Sequence, residues 1–264
     1  MNLDGAAVLV TGASSGIGAA LVPKLAARGA VVGLVARRAD RLEAVLAECR
    51  EHTPGSRMWT ADLANPARVE EVALAAWDAF GGLDCLVNNA GIPARVPVTE
   101  LTPERVAHVM DVNFHAPVRM SLALLARMLD RGRGEIVNVS SLGGRLGIAH
   151  EAAYCASKFA LCGWSEAMAI DLAGTPLVVK LVLPGPIETE IWDQPGNAPA
   201  LYDGPLVPAT DCADAIVAAI TTEGFEFYTP EEGPFGSQRD VVIGKTQDPD
   251  SFLALMADLA RDAD

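Results

Sequence analysis

Short apolar, β-branched runs alternate along the chain with longer stretches of helical periodicity. Runs at Val8–Thr11, Val31–Ala36, Ser56–Thr60, Leu83–Asn88, Glu135–Ser140 and Leu177–Leu183 predict strands, with amphipathic segments between them. Regular alternation of this kind predicts parallel βαβ units. The strand runs are almost continuously apolar, which predicts a sheet covered by helices on both faces. The expected fold class is therefore α/β, a doubly wound parallel sheet in a three-layer α/β/α arrangement.

Boundary signals agree with this. Gly29 stands just past a predicted Gly16–Arg28 helix, and Asn65-Pro66 and Thr102-Pro103 open two others. Pro23 lies inside the first helix, where it should cost a backbone hydrogen bond or bend the axis. No repeat or low-complexity linker divides the 264 residues, so one domain over 1–264 is expected. The proline-rich, aperiodic stretch Pro184–Thr210 predicts a functional loop, with a substrate lid over approximately 186–210. Beyond it lies a C-terminal extension, approximately 225–264, in which Arg239–Gly244 reads as a strand and Asp250–Ala260 as a helix.

Composition narrows the function. Half of the residues are hydrophobic, yet no apolar run approaches the roughly 18 residues of a membrane span, so no membrane partner is expected. The opening Met1-Asn2-Leu3-Asp4-Gly5 carries no basic region and does not read as a signal peptide, which makes the cytoplasm the expected location. Five cysteines without metal-ligand pairing read as reduced, mostly buried thiols. His52, His108, His115 and His150 lack ligand spacing, so no metal is expected. A net charge of −14 argues against nucleic acid, whose phosphates need clustered Lys and Arg.

Directly after the first strand comes Thr11-Gly12-Ala13-Ser14-Ser15-Gly16-Ile17-Gly18, leading into a helix. Glycines allow a tight turn and close backbone approach, while free N–H groups and the helix dipole face an anion. Opening a βαβ unit, the turn predicts dinucleotide binding through Gly12, Ser14, Ser15, Gly16, Ile17 and Gly18. The second strand ends Ala36-Arg37-Arg38, without the acidic residue that would accept a ribose 2′-hydroxyl. A guanidinium pairs with a 2′-phosphate that a carboxylate would repel, so Arg37 chiefly, with Arg38, predicts NADP(H), NAD(H) being the alternative. Asn89, Ala90 and Gly91 end the fourth strand with a backbone beneath which a cofactor ribose could pass.

Tyr154 and Lys158 stand four apart in the helical pattern Ala152–Ala173 and so project from one face. For Tyr154 to act at neutral pH, its phenol must fall by roughly 3 units from about 10, a shift expected from a neighbouring ammonium and an oxidised nicotinamide. Ser140 and Ser141 end a strand and point to opposite faces, so one alone can reach a substrate.

The TGxxxGxG spacing is followed in order by Asp62, Asn88-Asn89-Ala90-Gly91, Asn113, Ser141, Tyr154-Cys155-Ala156-Ser157-Lys158 and Pro184-Gly185-Pro186-Ile187-Glu188-Thr189. This series resembles the short-chain dehydrogenase/reductase family over roughly residues 5–190. The resemblance implies a Rossmann-like fold and NADP(H)-dependent interconversion of a carbonyl and an alcohol. It assigns proton transfer to Tyr154, polarisation of the substrate oxygen to Ser141, ribose binding to Lys158, and a water-linked proton relay to Asn113. Cofactor contacts are implied from Asp62, Leu63, Val112, Pro184, Gly185, Ile187 and Thr189.

Ser141, Leu142, Gly143, Leu146, Tyr154, Ile191 and Trp192 predict a pocket for a hydrophobic ketone, aldehyde or alcohol. Relatives associate through helices near 115–130 and 152–173, so a homodimer or homotetramer is expected. Two other readings stand beside this one. A hydrolase built on Ser141 lacks the GxSxG elbow and a His partner; a non-catalytic dinucleotide sensor would have no need of both Tyr154 and Lys158.

Overall fold

The computed structural model describes residues 1–233 and 236–262; residues 234–235 and 263–264 of the C-terminal extension lie outside the described residues. Six of the apolar runs form strands β1 (Ala7–Thr11), β2 (Val31–Ala36), β3 (Arg57–Thr60), β4 (Cys85–Asn88), β5 (Gly134–Val139) and β6 (Leu177–Pro184). Two short strands in the expected lid, β7 (Ile187–Glu188) and β8 (Val207–Pro208), pair with each other. A seventh sheet strand, β9 (Glu226–Thr229), adds to β6, and β10 (Glu232–Gly233) pairs with β11 (Gly236–Ser237). The main sheet is parallel throughout, in the order β3-β2-β1-β4-β5-β6-β9.

The intervening helices are α1 (Gly16–Ala26), α2 (Ala39–His52), α3 (Pro66–Phe80), α4 (Pro103–Met110), α5 (Ala116–Arg131), α6 (Ala152–Asp171) and α7 (Ala209–Thr221), with α8 (Gln238–Gln247) and α9 (Pro249–Asp262) after the last strands. Strand alternation sorts them into two layers. Val8, Val10, Val32 and Leu34 pack with Leu21, Leu42 and Ile216 of α1, α2 and α7. Leu9, Leu86 and Ile136 pack on the other face with Val72, Leu124 and Met168 of α3, α5 and α6. Leu9, Leu34, Leu86 and Ile136 are fully buried, each contributing about 1.5–3 kcal/mol of apolar burial. Among the described residues no helix is long and apolar enough to cross a membrane.

Helix ends follow the local chemistry. The Asn65 carboxamide oxygen accepts from Ala67 N at 3.1 Å, and Thr102 Oγ1 accepts from Arg105 N at 3.3 Å, each ahead of a proline in the first turn. Gly81 and Gly132 end α3 and α5 in the left-handed conformation. Helix α1 stops at Ala26, two residues short of the predicted end, and Gly29 reverses the chain at φ +87°. Pro23 does not interrupt α1; the bond from Ala27 N to Pro23 O, 2.8 Å, carries the ladder past it.

The tail departs from the sequence reading. Arg239–Gly244 is not a strand but lies within α8, whose first turn is capped by Ser237 Oγ accepting from Asp240 N at 3.4 Å. The apolar run Val241-Val242-Ile243 suits either element, and the cap ahead of it selects the helix. The expected helix at Asp250–Ala260 falls within α9.

The chain builds outward from β1 to β3 and then crosses back to place β4 on the other side of β1. Loops leaving β1 and β4 therefore diverge, opening a crevice at the carboxyl ends of the strands, where ligands bind in sheets of this kind.

Candidate active site

The crevice widens into a cavity of about 1340 Å³, larger than the roughly 300–1,000 Å³ of a site for one small ligand. Its floor is the row of strand ends, starting with the glycine turn after β1. Gly12 and Gly16 have φ of +72° and +52°, and a Cβ on Gly12 would lie 2.8 Å from Ala90 Cα. The turn is also bolted to the end of β4: Thr11 Oγ1 accepts from Asn89 N and Ala90 N, both at 3.0 Å, and Asn89 Nδ2 donates to Thr11 O at 2.9 Å. Gly12, Ser14, Ser15, Gly16 and Ile17 line the cavity. Gly18 does not; it lies under the turn, where a Cβ would stand 2.3 Å from Gly12 O, so its absent side chain lets α1 meet the loop rather than lets a ligand in.

At the far end of the turn Arg37 and Arg38 both line the cavity, with Asp62 and Leu63 beyond them. Their roles are unequal. Arg37 is exposed, whereas Arg38 donates to Ser15 Oγ at 2.6 Å and to Glu190 at 2.8 Å. Arg41 also reaches Glu190, and the two guanidinium groups, Arg41 first, hold that carboxyl below its usual range. Of the two, Arg38 is the one held in place by neighbouring side chains, and Arg37, the chief candidate from the sequence, stands exposed on the same cavity wall. The Asp62 carboxylate accepts from Ala64 N at 3.0 Å, so it caps its own turn as well as lining the cavity.

The second half of the floor carries the titratable groups. Ser140 turns away, donating to Lys158 O at 3.1 Å, while Ser141 Oγ accepts from Gly143 N at 3.0 Å and lines the cavity beside Tyr154 and Lys158. Both serines line the cavity, and strand alternation sends their hydroxyls to different partners. Gly143, expected to touch substrate, is buried behind the tyrosine instead, with space for a Cβ ending 3.3 Å away at Tyr154 Cε1. Leu142 and Leu146 remain on the cavity wall.

Lys158 is buried; its ammonium donates to Val139 O at 3.1 Å, and burial lowers its pKa from 10.5 to about 8. Tyr154 shifts the other way. Burial pushes its phenol above the ordinary value, with the Ser141 hydroxyl opposing and Glu151 adding to the rise. Lys158 Nζ lies over the tyrosine ring, 5.8 Å from its centre. Burial thus reinforces the protonated phenol, which already dominates at neutral pH for an ordinary tyrosine.

Asn113 lies behind this group, in a π-helical turn (Asp111–His115) between α4 and α5. Such bulges recur at functional sites because they re-aim a side chain. Here the fully buried amide accepts from Ile92 N at 2.9 Å and donates to Ile92 O and Ser157 Oγ at 3.0 Å each. Asn113 does not itself line the cavity, whereas Val112 and Gly91 do. A Cβ on Gly91 would be 3.4 Å from Lys158 Nζ and 3.6 Å from Asn113 Oδ1, ordinary contact distances that place this strand-end backbone directly against those two groups.

The roof is assembled from segments distant in sequence. Pro184, Gly185, Ile187 and Thr189 leave the end of β6 along the cavity, followed by Ile191 and Trp192. Trp192 is fixed in the lid, donating from Nε1 to Ile187 O at 2.6 Å and stacking on Tyr202 at 6.4 Å, and it also lines the cavity. Sequence reasoning missed the residue that holds this roof. Arg95, 3% exposed, donates to Ala198 O at 2.6 Å and Trp192 O at 2.5 Å, lies 5.5 Å from the Trp192 ring centre, and pairs with Glu151 at 3.7 Å. Glu190, Tyr202 and Gln238, and Phe252, Leu255 and Met256 of α9, complete the lining without having been marked by any sequence motif.

A glycine turn locked to β4, a cation beside it, and Ser141, Tyr154 and Lys158 farther along one cavity form a single ordered constellation. The family profile described as short chain dehydrogenase matches residues 6–198. The chain belongs to the short chain dehydrogenase family. It is therefore an oxidoreductase of the kind that acts on CH–OH and C=O groups. The chain is 37% identical over 191 residues to the 3-oxoacyl-acyl-carrier-protein reductase FabG of Vibrio cholerae, covering 72% of this chain and 77% of that protein. It is 33% identical over 235 residues to the 1-deoxy-11-beta-hydroxypentalenate dehydrogenase of Streptomyces avermitilis, covering 87% and 86%. A solved short chain dehydrogenase from Burkholderia cenocepacia, in complex with NADP, superposes with a TM-score of 0.80 at 30% identity, covering 97% of this chain and 99% of that one. The profile of this short chain dehydrogenase ends within the expected lid, and the structural match to the Burkholderia cenocepacia protein continues over 97% of the chain.

Proposed function

We propose that this short chain dehydrogenase reduces the carbonyl of a largely apolar ketone or aldehyde with NADPH, Tyr154 being the proton donor. The observation that carries the reading is the continuity of one cavity from the Arg38-lined glycine turn to Ser141, Tyr154 and Lys158. The turn, with its N–H groups at the start of α1, suits a pyrophosphate, and Arg38 suits a 2′-phosphate. Asp62 and Leu63 would border the adenine, Gly91, Val112 and Lys158 the nicotinamide ribose, and Ile187 and Thr189 the carboxamide. Bound there, the reduced nicotinamide supplies the hydride.

Ser141 would hold the substrate oxygen by hydrogen bonding as negative charge develops on it. Tyr154, kept protonated by burial, would give that oxygen its proton. Lys158 would hold the ribose and, through Asn113, connect the tyrosine to solvent for reprotonation. In the opposite direction the same tyrosine, deprotonated, would accept the proton of the alcohol.

Exposed Leu122 and Leu129 on α5 and Phe159 and Ile170 on α6 support self-association through these helices as a homodimer or homotetramer, which sedimentation velocity would show. The five unpaired, buried thiols suit a reducing compartment such as the cytoplasm.

The test is a carbonyl panel with NADPH and NADH. Turnover should prefer NADPH, and Tyr154→Phe should lower it by about a thousandfold while NADPH still binds. A preference for NADH overturns the cofactor assignment, and substantial turnover by the variant overturns the role of Tyr154.

A further inference from the structure

Gln238 is the first residue of α8 and is 3% exposed, yet neither its amide nitrogen nor its amide oxygen has a hydrogen-bond partner among the described residues. Its backbone is tied down, with Gln238 N donating to Glu231 O at 2.9 Å. The side chain lines the cavity and presses on the end of β6, where a Cβ on Gly185 would lie 2.6 Å from Gln238 Nε2. A buried primary amide with two donors and an acceptor unused is costly unless something entering the cavity completes it.

Its position says what that something is. Strands β5 and β6 pair with Val139 opposite Val182, so Ser141 and Pro184 stand level at the sheet edge. The cofactor-turn end of the cavity lies toward β1 and β2, while Gln238 lies on the far side of Ser141, against Gly185 at the end of β6, in a cavity whose lining also includes the apolar side chains of Val241, Phe252 and Met256. We infer that Gln238 recognises a second polar group on the substrate, a hydroxyl or carboxamide able both to donate and to accept, carried on an otherwise apolar skeleton away from the reacting carbonyl. This deepens the carbonyl-reductase reading above and rests on it.

The test compares a bicyclic aryl ketone with the same ketone bearing a hydroxyl or a primary carboxamide on its remote ring. Steady-state kinetics with NADPH are paired with calorimetric Kd values at saturating NADP+, in the parent and in Gln238→Met, a substitution of similar shape. The parent should favour the polar ketones about tenfold in kcat/KM, through KM, with the same ratio in Kd. In Gln238→Met the ratios should fall to within about twofold, and Tm should rise, because an unsatisfied buried amide has been removed.

Equal discrimination in the parent and Gln238→Met, or a fall in Tm, overturns the inference. So does a loss of NADPH affinity in place of substrate affinity, since the amide would then serve the nicotinamide. If none of the ketones turns over but the Kd ratio is present and lost in Gln238→Met, the recognition role stands and the proposed function fails.

Discussion

The floor and the roof of the cavity are built by different means. The floor consists of strand ends in one parallel sheet, where backbone groups and missing side chains make the surface: Gly12 and Gly16 at positive φ, Thr11 bonding two amides of the next strand end, and Gly18 letting α1 meet the turn. The roof is held by long side chains reaching between segments far apart in sequence, Arg95 to Ala198 across 103 residues and Arg38 to Glu190 across 152. A backbone-built surface suits a ligand whose shape never changes. A side-chain-built one can be recut for each substrate without disturbing the sheet.

The largest expected effect comes from altering the floor at its buried ammonium. Lys158→Met should lower turnover by about a thousandfold, yet raise Tm, because burial holds the ammonium at about 8 against 10.5 in the unfolded chain. The sign follows from proton counting. Below about pH 8 both states carry the charge and the penalty is full; between about 8 and 10.5 the unfolded chain keeps a proton that the folded one has lost, so the penalty fades. The Tm gain should therefore shrink as pH rises toward 10.5, and a gain that ignores pH would refute the argument.

Releasing the roof should do something different. Arg95→Met frees Trp192 and Ala198 and leaves Glu151 without its buried cation, so substrate KM should rise by about tenfold or more while NADPH Kd, set chiefly by the glycine turn and Arg38, moves less than about twofold. A matching loss in NADPH affinity would mean that floor and roof are one unit. The smallest effect probes the place where they meet. Glu190 of the roof occupies Arg38 of the floor, so Glu190→Gln should tighten NADPH by about threefold and leave NADH unaffected, as expected for one partly exposed ion pair. Equal changes for both cofactors would show that the carboxylate does not compete with the 2′-phosphate.

The two halves also differ in how legible they were in the sequence. The glycine turn, the four-residue spacing of Tyr154 and Lys158, and the separation of Ser140 from Ser141 depend on local geometry, and local geometry repeats from protein to protein. Which of Arg37 and Arg38 is organised depends on what each side chain meets, and Ser15 and Glu190 come from other loops. The rise in the Tyr154 pKa that burial imposes on the protein alone was not legible, because the charge four residues away is visible in a sequence, whereas burial is a property of the packed core. Arg95 and Gln238 carry no motif at all, and their importance lies in contacts made across the fold. Strand β9 escaped notice because the short Glu226–Thr229 run is less apolar than Val241-Val242-Ile243 a few residues on, which folds as helix.

Strand β9 lies at the edge of the sheet, and every element after it, α8 and α9 included, takes no part in the parallel pairing. The tail from β10 onward is thus an appendage that supplies Gln238, Phe252 and Met256 to the cavity but no register to the fold. Exchanging that segment between homologues would be a grafting problem at one edge rather than a redesign of the enzyme, which makes it the natural place to breed new substrate preferences.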